Sequence, residues 1–234
     1  MEDKKNIGHL FDGIAGTYDL LNHLLSLNLD KSWRRKTVAG LKHCGNLLDV
    51  AIGTADLSLE IIRQQKAERI QGLDVSQEMM RIGEEKVRSA GLEGQIKFQL
   101  GSALEIPYED RSYDAVTCAY GVRNFPDVDK GLAEFYRVMK PGGQLAILEF
   151  SYPTHPVIRW VYDLFFSHIL PVIGRVVSKD KSAYAYLNES VKTFFWGEEM
   201  CEHIRKAGFR NVGFRPLTFG ITTIYTAEKE SLDL

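Results

Sequence analysis

The chain has 234 residues, 44% of them hydrophobic and 26% charged, which is the balance of a water-exposed globular protein with a full core. Its 29 Lys+Arg against 31 Asp+Glu leave a net charge of −2, so no large phosphate-neutralising face is available and nucleic acid is not an expected partner. Three widely spaced cysteines (Cys44, Cys118, Cys201) exclude a disulfide framework or CxxC metal site and point to a reducing cytoplasm. The first residues lead into no apolar run and no stretch reaches about 18 uncharged apolar residues, so neither a signal peptide nor a spanning helix is expected.

The chain opens with apolar positions at helical spacing (Leu20, Leu21, Leu24, Leu25, then Trp33), which predict two or three helices ahead of the main sheet. From Leu47 the pattern becomes short apolar runs alternating with amphipathic stretches. Strands are predicted at Leu47–Ala51, Ile70–Val75, Ile96–Leu100, Tyr113–Tyr120 and Gln144–Phe150. Helices fall between them at Asp56–Lys66, Gln77 to about Ala90, and Val128–Met139, the last ended by Lys140-Pro141-Gly142-Gly143. After an aromatic and aliphatic stretch from Val157 to Val177, a helix from Glu198 to Ala207 closes at Gly208. Val212–Leu217 and Ile221–Glu228 then read as two strands with only a turn between them, which must pair antiparallel. The expectation is an α/β, doubly wound, mostly parallel seven-stranded sheet ending in an antiparallel hairpin, the architecture of class I methyltransferases.

The turn after the first strand, Asp49-Val50-Ala51-Ile52-Gly53-Thr54-Ala55-Asp56, brings small residues to a helix N-terminus, where backbone can approach a ligand. A dinucleotide fingerprint fits badly: counted from Ala51, its three glycine positions read Ala51, Gly53 and Asp56, and Asp56 puts an anion where a pyrophosphate belongs. A sulfonium nucleoside with a zwitterionic amino-acid end suits these residues better. Asp49 is placed to receive the methionine ammonium, directly or through water. Asp74, at the tip of the second strand, is placed to accept from both ribose hydroxyls. The loop Gly101-Ser102-Ala103 would lie beside the adenine. Taken singly, Asp49 also reads as a turn residue and Asp74 as a helix cap.

Three stretches carry a family resemblance: Tyr18-Asp19-Leu20-Leu21-Asn22 with Ser26 and Trp33, Tyr120-Gly121-Val122-Arg123-Asn124, and Arg137 to Gly143 continuing to Leu148-Glu149-Phe150-Ser151. They resemble the UbiE/MenG quinone C-methyltransferases, and the resemblance extends to Tyr186-Leu187-Asn188-Glu189-Ser190 and Ala207-Gly208-Phe209. It implies S-adenosyl-L-methionine as cofactor, with Thr54, Asp74, Ser102 and Ala103 in the cofactor-binding roles and no metal. It also implies methylation of a ring carbon on a prenylated quinol, demethylmenaquinol to menaquinol, in menaquinone biosynthesis. A ubiquinol precursor, another phenol, or a non-catalytic cofactor-binding role are the alternatives. Departures from the family pattern are Ile52 and Ala55 where glycines are usual, Ser102 where an aspartate is usual, and Asn28, Asp30 and Lys31 in the N-terminal signature. The first two predict a more crowded cofactor turn, and the third a weaker hold on the adenine amino group.

Ring-carbon attack on a sulfonium methyl is eased by a developing phenolate, which needs a cation or donor at the site. Arg123 is the catalytic candidate for that role; the competing reading is a salt-bridged loop residue. Tyr18 and Asn22 are candidates for a helical lid, with core packing as the alternative. Asp19, His23, Tyr120 and His155 are all candidate bases. The bulk from Trp160 to Ile173 reads either as core or a homodimer contact, or as a groove for an isoprenoid tail with peripheral contact at the inner membrane surface. The expected division is one methyltransferase domain over 1–234, with a helical cap at 1–43, a cofactor-binding core at 44–151, and substrate-side helices plus hairpin at 152–234.

Overall fold

A computed structural model of the protein describes residues 7–164 and 189–231. Two helices, α1 (Ile7–Leu25) and α2 (Leu29–Ala39), precede the sheet. Then follow β1 (Cys44–Val50), α3 (Asp56–Arg63), β2 (Ala67–Asp74), α4 (Gln77–Ser89), β3 (Ile96–Leu100) and β4 (Tyr113–Ala119). The chain continues through α5 (Val128–Val138), β5 (Met139–Phe150) and α6 (Pro156–Leu164), and ends with α7 (Glu198–Lys206), β6 (Arg210–Leu217) and β7 (Thr222–Glu228).

The seven strands lie in the order β3-β2-β1-β4-β5-β7-β6, with β7 alone antiparallel to its neighbours. The expected hairpin is present, and it enters the sheet with its second strand against β5. Alternation along β1 sets the two faces. Leu48 and Val50 join the core under α5 and α7 with Phe135, Met200 and Phe209, while Leu47 joins the opposite core with Ile61, Ile70, Met80 and Val87. Helix starts follow local chemistry: Ser76 caps α4 by accepting from Met79 N, and Asp127 caps α5 by accepting from Lys130 N.

Helix α5 stops ahead of Lys140-Pro141-Gly142-Gly143 as predicted, but these four residues already lie within the next strand. Strand β5 already starts at Met139, paired with Tyr113, and the next pair is Gln144 with Ala115. Residues 140–143 therefore bulge opposite Asp114, held by Lys140 Nζ donating to Asp114 Oδ1 at 2.7 Å and by Gly142 N donating to Lys229 O at 2.9 Å. Asn28, where the family pattern has glycine, sits before α2 at φ 61°, a left-handed position that asparagine tolerates better than most residues.

Candidate active site

The sheet order reverses at β1, between β2 and β4, and a ligand crevice is expected at the carboxyl ends of the strands there. A cleft occupies this place. Its floor is the turn after β1 (Ala51, Gly53) and the turn after β4 (Gly121). Leu73, Asp74, Val75 and Met79 form one side, and Ser102, Ala103, Leu104 and Phe125 another. Phe11 and Tyr18 of α1 line it as well. Gly53 takes φ +54°, which a glycine adopts without strain, and this lets its N–H turn towards β2.

Asp74 faces the cleft. Its Oδ2 accepts from Gly53 N at 2.7 Å and its Oδ1 from Ser76 N at 2.9 Å. Burial pushes its carboxyl above the ordinary value, and these backbone donors oppose that shift. A carboxylate offers about four lone-pair sites, so at least one remains for a hydroxyl beside these donors and the Val75 backbone N–H. Asp49 is placed differently. It is buried beneath the turn and is not among the residues that line the cleft. Ser58 Oγ donates to its Oδ2 at 2.6 Å and Thr117 Oγ1 to its Oδ1 at 2.7 Å. Burial raises its carboxyl to about 6, against the pull of its two hydroxyl donors.

Thr54 also lies off the cleft; its hydroxyl donates to Asp19 Oδ1 at 2.7 Å and accepts from Lys86 Nζ at 3.1 Å. Ser102 and Ala103 both line the cleft, and Ser102 Oγ accepts from Leu104 N at 3.1 Å. The predicted crowding by Ile52 and Ala55 does not enter the cleft. Ile52 is turned into the core, where a Cβ on Gly72 would stand 2.2 Å from its Cδ1, so Gly72 is the residue that makes room for it. Ala55 is fully buried at φ +66° at the start of α3.

Arg123 is 4% exposed and forms a buried ion pair at the tip of β4. Its NH1 donates to Glu149 Oε1 at 2.7 Å and to Tyr120 O at 2.6 Å, and its backbone N donates to Glu149 Oε2 at 3.1 Å. The guanidinium lies 5.2 Å from the centroid of Phe150, which stacks on Tyr120 at 4.4 Å. Tyr120, Gly121 and Asn124 border the cleft on either side of it in sequence. Glu149 was not singled out from the sequence, although a carboxylate inside the apolar run Leu145 to Phe150 signals a buried partner.

Of the candidate bases, Asp19 pairs with Lys86 at 2.6 Å and His23 Nδ1 lies 2.8 Å from Asp30 Oδ2. His155 is exposed ahead of α6. Tyr120 alone of the four lines the cleft, and burial pushes its phenol well up, which suits a hydrogen-bond donor better than a base. Tyr18 lines the cleft and its side chain hydrogen-bonds Asn22. Asp12 and Lys86, which tie α1 to the core, carried no sequence signal because their partners are distant in the chain.

On α6, Val157, Trp160, Val161 and Leu164 are 60%, 66%, 51% and 42% exposed, while Tyr162 is buried against Tyr152. The described part of the apolar stretch is therefore an exposed stripe rather than core; Phe165 to Ile173 lie outside the described residues, as do Tyr186-Leu187-Asn188. Among the described residues, no helix is long and apolar enough to cross a membrane.

The cleft suits an adenosyl sulfonium compound rather than a dinucleotide. No lysine or arginine is among its lining residues, the Asp74 carboxylate faces it from the tip of β2, and apolar side chains flank much of the rest. The sequence pattern of the ubiE/COQ5 methyltransferase family matches residues 1–229. A demethylmenaquinone methyltransferase of Bacteroides fragilis is 43% identical over 227 residues, covering 96% of this chain and 93% of that protein. The ubiquinone/menaquinone biosynthesis C-methyltransferase UbiE of Geotalea daltonii is 43% identical over 231 residues, covering 97% and 98%. Among solved structures, the [4+2]-cyclase SpnF aligns with a TM-score of 0.70 at 17% identity over 98% of this chain and 97% of its own. A SAM-dependent methyltransferase of Thermotoga maritima gives 0.66 at 17% identity over 95% and 99%. At those identities the two structures establish the shared fold, and the cyclase among them shows why fold alone does not fix a reaction. The chain belongs to the ubiE/COQ5 methyltransferase family.

Proposed function

We propose that this enzyme methylates a ring carbon of a prenylated hydroquinone, converting demethylmenaquinol to menaquinol in menaquinone biosynthesis. The observation that carries the substrate half of this reading is the buried Arg123–Glu149 pair beside a cleft that is otherwise without cations. The names of the relatives at 43% identity point to the same substrate class. When bound, S-adenosylmethionine supplies a methyl group on positively charged sulfur.

The chain's own residues then divide the work. Asp74 accepts from the ribose hydroxyls, with its carboxylate fixed by two backbone N–H groups. Ser102 and Ala103 flank the adenine, and Thr54 holds the cofactor turn through Asp19 and Lys86. Asp49 contributes negative charge from beneath the turn, towards the ammonium of the methionine end, with Ser58 and Thr117 keeping its orientation. Arg123 is placed to stabilise the oxyanion that develops on the ring hydroxyl as its proton leaves. Glu149 fixes the guanidinium and compensates its charge until then. Preorganisation of this kind costs nothing at the moment of reaction, which is its advantage over a mobile cation.

The stretches 1–43, 44–151 and 152–234 serve as cap, cofactor core and substrate side of one domain. The exposed stripe of α6 is read as contact for an isoprenoid tail and the membrane surface from which it comes. Its spacing (157, 160, 161, 164) is that of one helix face, and the buried Tyr162 of the same helix lies within electrostatic reach of Arg123.

The test is methyl transfer from labelled S-adenosylmethionine to demethylmenaquinol kept reduced, with the oxidised quinone, a demethylated ubiquinol precursor and a tail-less phenol as competitors. Label in menaquinol, dependent on the reductant, is expected. Cofactor binding without transfer to any quinol defeats the enzymatic reading, and preferred labelling of the ubiquinol precursor moves the substrate.

A further inference from the structure

Helix α1 carries an aromatic–aspartate pair twice, Phe11-Asp12 and Tyr18-Asp19, seven residues apart. Seven residues are close to two helical turns, so the aromatics share one stripe and the aspartates the stripe beside it. Phe11 and Tyr18 line the cleft and meet edge to face, 5.9 Å between centroids. The aspartates fasten the helix to the core. Asp12 Oδ1 accepts from Ser76 Oγ at 2.6 Å and from Glu78 N at 3.2 Å, so its charge rests on the N-terminus of α4. Asp19 accepts from Thr54 Oγ1 and pairs with Lys86 at 2.6 Å, and Lys86 continues to Asp56 at 2.7 Å.

Both fastenings adjoin the proposed ribose acceptor. Ser76 donates its backbone N–H to one oxygen of Asp74, and Gly53, the neighbour of Thr54, donates to the other. A movement of α1 away from the core would release both supports of the turn that shapes Asp74.

The helix has little internal strength to hold its place. Gly8, Gly13 and Gly16 all fall within it. Gly8 has a packing reason: a Cβ there would stand 3.0 Å from Val75 O, so glycine lets α1 lie on the turn between β2 and α4. At Gly13 and Gly16 a Cβ would meet nothing within 4 Å among the described residues, so no contact among them requires glycine at either.

We propose that α1 is a lid clasped over the cofactor, with Asp12 on α4 and Asp19 through Lys86 as its two clasps. Asp12, Asp19 and Lys86 are then positioning residues that set how fast the cofactor and its demethylated product exchange. The inference rests on the cleft being the cofactor site.

The experiment measures release of labelled S-adenosylhomocysteine from the full chain, together with amide exchange along α1. Asp12→Ala, Asp19→Ala and Lys86→Met should each speed release at least tenfold and raise exchange in α1 while the sheet stays protected. Lys86→Arg, which keeps the cation, should release within about threefold of the parent. Gly13→Ala with Gly16→Ala should act in the opposite direction, slowing release at least threefold and protecting α1. Release within twofold of the parent in all three clasp variants overturns the proposal, as does faster exchange spread evenly over sheet and helix. If Asp74→Ala binds S-adenosylhomocysteine as tightly as the parent, the cofactor assignment itself fails, and the lid with it.

Discussion

The tips of β1 and β2 and the tips of β4 and β5 handle charge in opposite ways. At the first, Asp49 and Asp74 carry negative charge without a directly bonded cation, held by hydroxyls in one case and by backbone N–H groups in the other. At the second, a guanidinium and a carboxylate are buried together, the guanidinium against the ring of Phe150. In the proposed reading the first arrangement accepts hydrogen bonds from a neutral sugar and favours a cationic ligand. In the same reading the second keeps a positive charge dry and oriented for an anion that exists only during reaction. On that proposal, the difference lets one cleft serve a cationic donor and an anionic acceptor because each end is made of different material.

The largest way to break the second half is Arg123→Ala, which leaves Glu149 buried and unpaired. It should destabilise the protein by about 3–5 kcal/mol in denaturant titration and abolish measurable methyl transfer. The double variant Arg123→Met with Glu149→Leu separates the two effects: stability should return to within about 2 kcal/mol of the parent, while transfer stays absent. Full transfer by the double variant would take Arg123 out of the mechanism.

Next in size is Asp74→Ala at the first half. Losing a charged acceptor for ribose hydroxyls should weaken S-adenosylmethionine binding by about 10- to 100-fold in calorimetry, with some loss of melting temperature because the Gly53 and Ser76 N–H groups lose their acceptor. Asp49→Asn tests the neighbouring carboxylate through pH. Its carboxyl is raised from 3.8 in the unfolded chain to about 6 in the fold, so the folded state holds the proton more tightly. Stability therefore falls as pH rises from about 4 to about 6, by roughly 2–3 kcal/mol over the full span. The asparagine variant should flatten that segment of the stability profile and weaken cofactor binding less than Asp74→Ala does. A loss as large as that of Asp74→Ala would give Asp49 a direct ligand contact.

Gly72→Ala probes the packing under the first half. Its new methyl group meets Ile52 Cδ1 and should cost about 1–3 kcal/mol in unfolding free energy. Adding Ile52→Val, which removes that atom, should restore part of it. The smallest effect is expected at the rim, where Trp160→Ser should leave transfer to a tail-less quinol unchanged and reduce co-flotation with anionic vesicles a few-fold. Flotation unchanged from the parent would return the α6 stripe to the dimer-contact reading.

Period-2 and period-3.6 patterning, with turn residues between, made the alternation of strands and helices legible, and most boundaries in the sheet fall within a few residues of the prediction. The strand tips were legible for the same reason: a carboxylate or glycine that ends an apolar run must lie at the end of a strand, so Asp49, Gly53 and Asp74 could be placed without coordinates. The helix stop ahead of Lys140–Gly143 was legible, but the strand bulge there was not, because proline and glycine stop a helix and bulge a strand with the same letters. Ile52 was expected to crowd the cleft, yet the side to which it turns depends on space left by Gly72 one strand away.

What the sequence alone determined, then, was which residues stand at the ends of which strands, because strand ends are local. Only the tertiary structure decided what each meets there. Asp49 turns to Ser58 and Thr117 and Asp74 turns to the cleft, Arg123 finds Glu149, and Asp19 finds Lys86, since those pairings join elements 9 to 68 residues apart that burial, not local preference, brings together.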